Sequence, residues 1–165
     1  MKLIASLLLL FTFSTSAFSG SADKANAPAT KPQVNAATGA VAKLVFYRPK
    51  RFYGGALTPS VFVNGEQVAR LDNGRYFVLP VKPGMFRIES SMKQDPLEIE
   101  VKAGKTEFME MAILTGVWKG GGRFIPTAPA DAMTAIKKLK PLDKKWVQSD
   151  EVTFDLPAAA SAGTD

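Results

Sequence analysis

Residues 45–55 read VFYRPKRFYGG, and they gather the chain's best material for chemistry. Arg48, Lys50 and Arg51 stand close together, and Phe52, Tyr53, Gly54 and Gly55 follow directly. A guanidinium presents a planar fork of N–H donors that matches phosphate and carboxylate oxygens, and glycines let backbone amides approach an anion. Arg48, Lys50, Arg51 and Tyr53 are therefore the candidate ligand-binding residues, and the ligand they suit is an anion. A blander reading competes. Arg48 ends a strand, Pro49 blocks its extension, and Phe52 and Tyr53 fold onto the end of the domain as a decorated turn.

The chain contains neither histidine nor cysteine. That excludes Ser-His-Asp and Cys-His nucleophiles, imidazole and thiolate metal sites, disulfides, and lipid attachment at an N-terminal cysteine. No catalytic residue, metal site or cofactor is assigned, and the expected protein is not an enzyme. The weaker patterns fit this. Gly104-Lys105-Thr106 imitates the end of a phosphate-binding loop, but Ile99 stands where the first glycine belongs, and a strand is expected to follow instead of a helix. KGGGR at 119–123 reads as a flexible loop beside Trp118, with an anion cradle as the alternative. Glu98 and Glu100 share a strand face, as a carboxylate pair for acid–base work would. Leu97, Ile99 and Val101 alternate with them and claim the core, which drives both glutamates to solvent. Met109 and Met111 could hold Cu(I) with Met85 or Met92, but core packing accounts for them better. An enzyme using only carboxylates, Lys, Tyr or Ser is the one catalytic reading left.

The address comes from the start, MKLIASLLLLFTFSTSAFSGSAD. Lys2 precedes an apolar run from Leu3 to Phe13, and small residues follow. A bilayer-spanning helix needs roughly 20 apolar residues, well beyond this run. Residues 1–22 are expected to be a secretory signal peptide, cleaved near Gly20 or after Ser19. Residues 23–41 are rich in Ala, Pro, Asn and Thr and read as a flexible linker. Residues 42–147 form the folded domain, and 148–165 an acidic, low-complexity tail. The expected protein is exported, periplasmic or extracellular, with no lipid anchor and no transmembrane anchor in its mature form. Residues 42–92 carry eight basic and three acidic side chains, a net +5, whereas 148–165 carry four acidic and no basic ones. A basic body suits an anionic envelope component (a phospholipid headgroup or polysaccharide) or an envelope protein. The export signal disfavours nucleic acid.

Strand patterns punctuated by Gly, Pro and Asn recur about every ten residues across the domain. They place strands at Lys43–Arg48, Ser60–Asn64, Gln67–Leu71, Arg75–Val81, from Phe86, at Leu97–Val101 and at Thr106–Leu114. Asn64-Gly65 has the chemistry of a tight hairpin turn. A helix is expected over Pro129–Leu139, with Met133, Ile136 and Leu139 as its apolar stripe and lysines near its end. The expected fold is mainly β: a single antiparallel β-sandwich of about seven strands with one C-terminal α-helix packed on it.

Tyr47-Arg48-Pro49, the Val63-Asn64-Gly65 hairpin, Asn73-Gly74 with Tyr76-Phe77, Pro83-Gly84 and the later AIKKLKPLDKKWV together resemble the bacterial domain-of-unknown-function family DUF2846. The resemblance covers roughly residues 42–147. Many members resemble small envelope lipoproteins; this chain departs from them in lacking the cysteine. The VNG…LPVKPG rhythm is also similar to PEGA-type surface-protein sandwiches, which implies an immunoglobulin- or PEGA-like topology. Neither comparison implies catalytic residues. The resemblance implies the fold and an envelope address and leaves function open; the expected protein, read from its residues, is an exported, non-catalytic module that acts by interaction at the cell envelope.

Overall fold

The computed structural model describes residues 40–91, 95–113 and 122–157. The expected signal peptide, nearly all of the expected linker, Met92, Trp118 to Gly121 and the last part of the expected tail, 158–165, lie outside the described residues. Nine strands are present among those described: β1 (Ala42–Tyr47), β2 (Ser60–Val63), β3 (Glu66–Arg70), β4 (Arg75–Val81), β5 (Gly84–Ser90), β6 (Leu97–Val101), β7 (Thr106–Ile113), β8 (Gly122–Thr127) and β9 (Lys140–Pro141). One α-helix, α1 (Pro129–Ile136), lies between β8 and β9, and a short 3-10 turn, Lys144–Trp146, follows. The strands form two sheets, in the orders β8-β7-β1-β4-β9 and β3-β2-β5-β6.

Two pairings correct the all-antiparallel expectation: β1 runs parallel to β7, and β4 runs parallel to β9. The reason is the route. After β4 the chain crosses to the second sheet for β5 and β6, then returns beside β1 in β1's own direction. The count of about seven strands also falls short. β8 begins inside the glycine run that read as a loop, and β9 is only two residues long. The β2–β3 turn is as expected: Asn64 and Gly65 take φ of 51° and 84°, the left-handed pair that a two-residue hairpin needs.

One apolar core draws on both sheets. Leu44, Phe46, Phe77 and Met109 come from the first, and Val63, Ile88 and Val101 from the second. Phe46 stacks on Phe77 at 4.9 Å and meets Phe124 edge-on at 5.5 Å. The first sheet is covered on its other face too, where Val45, Tyr47, Val78 and Phe108 pack against Ala132 and Ile136 of α1. Burial on both faces explains why β1 and β4 are near-continuous apolar runs while β6 alternates. α1 ends at Ile136, earlier than expected, because the chain must turn there to reach β4 as β9. Its stripe is accordingly Ala132 and Ile136, with Met133 and Leu139 only partly buried.

Residues 148–157, read from the sequence as tail, strap the domain. Thr153 and Val78 exchange backbone hydrogen bonds of 2.8 and 2.9 Å, and the amides of Gln148 and Ser149 donate to the Val68 carbonyl. Val152 and Phe154 pack on the core.

Candidate functional site

β1 ends at Tyr47, and residues 48–59 loop across one pole of the two sheets before β2. The loop is held from inside. The Arg48 amide donates to the Arg75 carbonyl at 2.9 Å, continuing the β1–β4 ladder. Its side chain, only 2% exposed, then turns inward. Nη1 donates to the carbonyls of Leu57 (2.5 Å) and Leu71 (3.2 Å), and Nη2 to that of Gly54 (2.6 Å). Two of those carbonyls belong to the loop itself, so one guanidinium gathers its far side. Burial pulls the Arg48 guanidinium down from its ordinary value while the Asp72 carboxylate pulls it back up. Arginine nevertheless stays charged in water at any physiological pH.

Asn73, in the β3–β4 turn, fastens the near side. The Arg51 amide donates to Asn73 Oδ1 at 3.0 Å, and Asn73 Nδ2 donates to the Arg51 carbonyl at 2.8 Å. The glycine pair completes the bend. Gly54 sits at φ +71°, and a Cβ there would lie 3.0 Å from Ile113 Cγ2. A Cβ on Gly55 would lie 3.0 Å from both the Arg51 carbonyl oxygen and Asn73 Nδ2. Side chains are therefore strained at the first position and crowded by backbone at the second.

This clamped loop holds two aromatic rings in solvent. Phe52 is 94% exposed and Tyr53 82%, their rings edge to face at 5.7 Å. Lys50 and Arg51 are exposed beside them, Arg51 within 3.8 Å of Glu110 on β7. The structure thus brings Lys50, Arg51 and Tyr53 together on the outside and places Arg48 beneath them. The three-cation grip on one anion is not assembled. The blander reading fails in one respect as well, since Phe52 and Tyr53 do not fold onto the domain's end.

Glu110 also accepts a 3.2 Å hydrogen bond from the Tyr47 hydroxyl, under the same pole. Burial pushes the Tyr47 phenol up from its ordinary value; a hydrogen bond with Thr127 opposes the rise, and the Glu110 charge adds to it. A raised pKa means that the folded state holds this proton more tightly than the unfolded chain does. The associated stability is complete below the unfolded value of about 10 and is lost as pH rises through the higher folded value. Tyr47→Phe should therefore flatten the fall of melting temperature above about pH 10 while costing roughly 1 kcal/mol at neutral pH for the lost hydrogen bond. Thermal melts across that range check both halves, and identical alkaline slopes would refute the assignment.

The remaining sequence candidates resolve simply. Gly104, at φ +69°, turns directly into β7, so no helix follows Gly104-Lys105-Thr106. Met109 and Met111 are buried in the core, and Glu98 and Glu100 face solvent. Sequence reasoning did not assign Asn73, whose only signal was the turn-forming Asn73-Gly74 pair, nor Glu110.

Fold and pole together define a two-sheet β domain that presents exposed aromatic and basic side chains on an internally clamped loop. The chain belongs to the DUF2846 family, proteins of unknown function, whose model matches residues 39–122. The match takes in β1, Arg48, the whole loop and Asn73, and stops at the first residue of β8. No curated protein and no solved structure matches the chain. Among the described residues, no helix is long and apolar enough to cross a membrane.

Proposed function

We propose that the protein is an exported, non-catalytic β-sandwich module, of immunoglobulin or PEGA kind, that works by interaction in the periplasm or outside the cell. Its ligand is an anionic component of the envelope, and the phospholipid headgroup layer fits best. The observation that carries this reading is the exposure of Phe52 and Tyr53 on a loop that Arg48 and Asn73 hold in shape. Two large rings held in water are unfavourable unless a partner covers them. A lipid surface offers what the loop lacks: phosphates for Lys50 and Arg51, and an apolar layer beneath for a phenyl ring with no polar handle. Tyr53, with its hydroxyl, suits the boundary between the two. The net +5 of residues 42–92 draws the domain to the same surface.

Co-sedimentation with vesicles tests this, using protein recovered from the exported fraction. Its intact mass should correspond to a chain beginning near Gly20 or Asp23. Binding to phosphatidylglycerol vesicles should exceed binding to phosphatidylcholine vesicles, and should fade as salt shortens the screening length to about 10 Å at 0.1 M. Equal, salt-independent binding to both, or the uncleaved chain in the exported fraction, would overturn the reading. Retention on anionic polysaccharide but not on vesicles would transfer it to that source of negative charge.

A further inference from the structure

Four strand edges exist among the described residues, and three of them are blunted. The β3 edge is strapped by residues 147–149, with Val147 bridging Ala69 and two amides donating to Val68. β9 is two residues long, and β8 carries Pro126, which cannot donate to a ladder. β6 differs. It is five residues long, holds an unbroken register with β5 from Leu97 to Val101, contains no proline, and among the described residues meets no strand on its other side. A regular unpaired edge of this kind is a template for another strand.

Its two faces differ in chemistry. Glu98 and Glu100 point outward and are exposed. Arg87 reaches Glu98 at 3.5 Å, and Glu100 has no cation within ion-pair distance among the described residues. Leu97 and Ile99 point inward, packed on the core yet only partly buried. Next to Leu97 lies an open cleft of ≈ 410 Å³, lined by Asp95, Pro96 and Leu97 on one side and by Arg123, Phe124, Ile125 and Pro126 of β8 on the other. An added strand would place alternate side chains over the glutamates and alternate ones over Leu97, Ile99 and the cleft. A second copy of β6 suits this poorly. In the register centred on Ile99, Glu98 of each copy would face Glu100 of the other, and like charges directly opposite are destabilising.

We infer that β6 is a strand-addition site for an extended segment of a protein partner in which basic and apolar residues alternate. Backbone hydrogen bonds supply the attachment, and the glutamates select the charge. The site lies on a different edge of the fold from the clamped loop and does not depend on its role.

The test uses the full chain and a synthetic peptide of alternating lysine and valine, followed by fluorescence anisotropy and amide hydrogen exchange. The peptide should bind and slow exchange at residues 97–101. N-methylating alternate peptide amides should abolish binding in one of the two possible phases and not in the other, because only one set faces the ladder. Glu98→Lys with Glu100→Lys should weaken binding about tenfold and create binding to the matching glutamate–valine peptide. Binding indifferent to both N-methylation phases would reduce the effect to charge attraction and overturn the proposal. So would unchanged exchange at 97–101, or a β6-mediated dimer of the chain in sedimentation.

Discussion

Arg48→Met should lower the unfolding free energy by roughly 2–4 kcal/mol, measured in urea melts. Met keeps much of the arginine's length and apolar stem, so the change isolates the guanidinium. Three carbonyls, those of Gly54, Leu57 and Leu71, lose a charged donor at once. Hydrogen bonds to charged groups contribute about 1.5–3 kcal/mol each, and a buried acceptor left unpaired costs a further fraction of that. Relief from burying a guanidinium that has no carboxylate within ion-pair distance among the described residues offsets part of the loss, which keeps the estimate below the simple sum. Arg48→Lys should recover only part of the stability, because a single ammonium cannot spread its donors over three carbonyls as a planar fork does. At temperatures where the Met variant stays folded, its vesicle binding should still weaken, since the loop that aims the two rings has lost its inner clasp. A Met variant as stable as the wild type would show that Asn73 and the glycines hold the loop unaided.

The sequence made the frame legible wherever local chemistry decides it. Asn64-Gly65 demanded a hairpin, the alternation in Leu97–Val101 oriented β6, and Met109 and Met111 read as core, all of which the structure shows. What escaped it was non-local. Nothing local in Lys43–Arg48 or Thr106–Leu114 says that the two strands run parallel; that follows from the excursion through β5 and β6. β8 was hidden because Gly122 joins a strand while belonging to a glycine run that reads as flexible. The loop shows the same limit. Its composition singled out the stretch, but three neighbouring cations look alike in a sequence. Whether Arg48 faces solvent or the carbonyls depends on where Leu57 and Leu71 arrive, and those positions are set by β2 and β3. Asn73 is a partner of Arg51 only in three dimensions, 22 residues away.

Replacing both exposed rings, Phe52→Ala with Tyr53→Ala, should reduce partition onto phosphatidylglycerol vesicles by roughly tenfold to a hundredfold. Full burial of one such side chain contributes about 1.5–3 kcal/mol, and insertion only as far as the headgroup boundary realises part of that for each ring. The melting temperature should barely move, because substitutions at exposed positions without partners in the core usually change stability by less than about 0.5 kcal/mol. Lys50→Gln with Arg51→Gln gives the complementary result. About 1 kcal/mol per cation at an anionic surface should be lost, along with most of the salt dependence, while the residual binding to phosphatidylcholine stays as it was. The pattern across variants carries more than any single number. On the proposed reading, Arg48→Met should impair stability and binding together because it removes the support, whereas the ring and cation pairs should impair binding alone. A double ring variant that binds vesicles as well as the wild type, with its salt dependence intact, would mean that Phe52 and Tyr53 do not enter the bilayer. The same clamped geometry would then have to be explained by a protein or polysaccharide surface that covers two rings, and the lipid reading would fall.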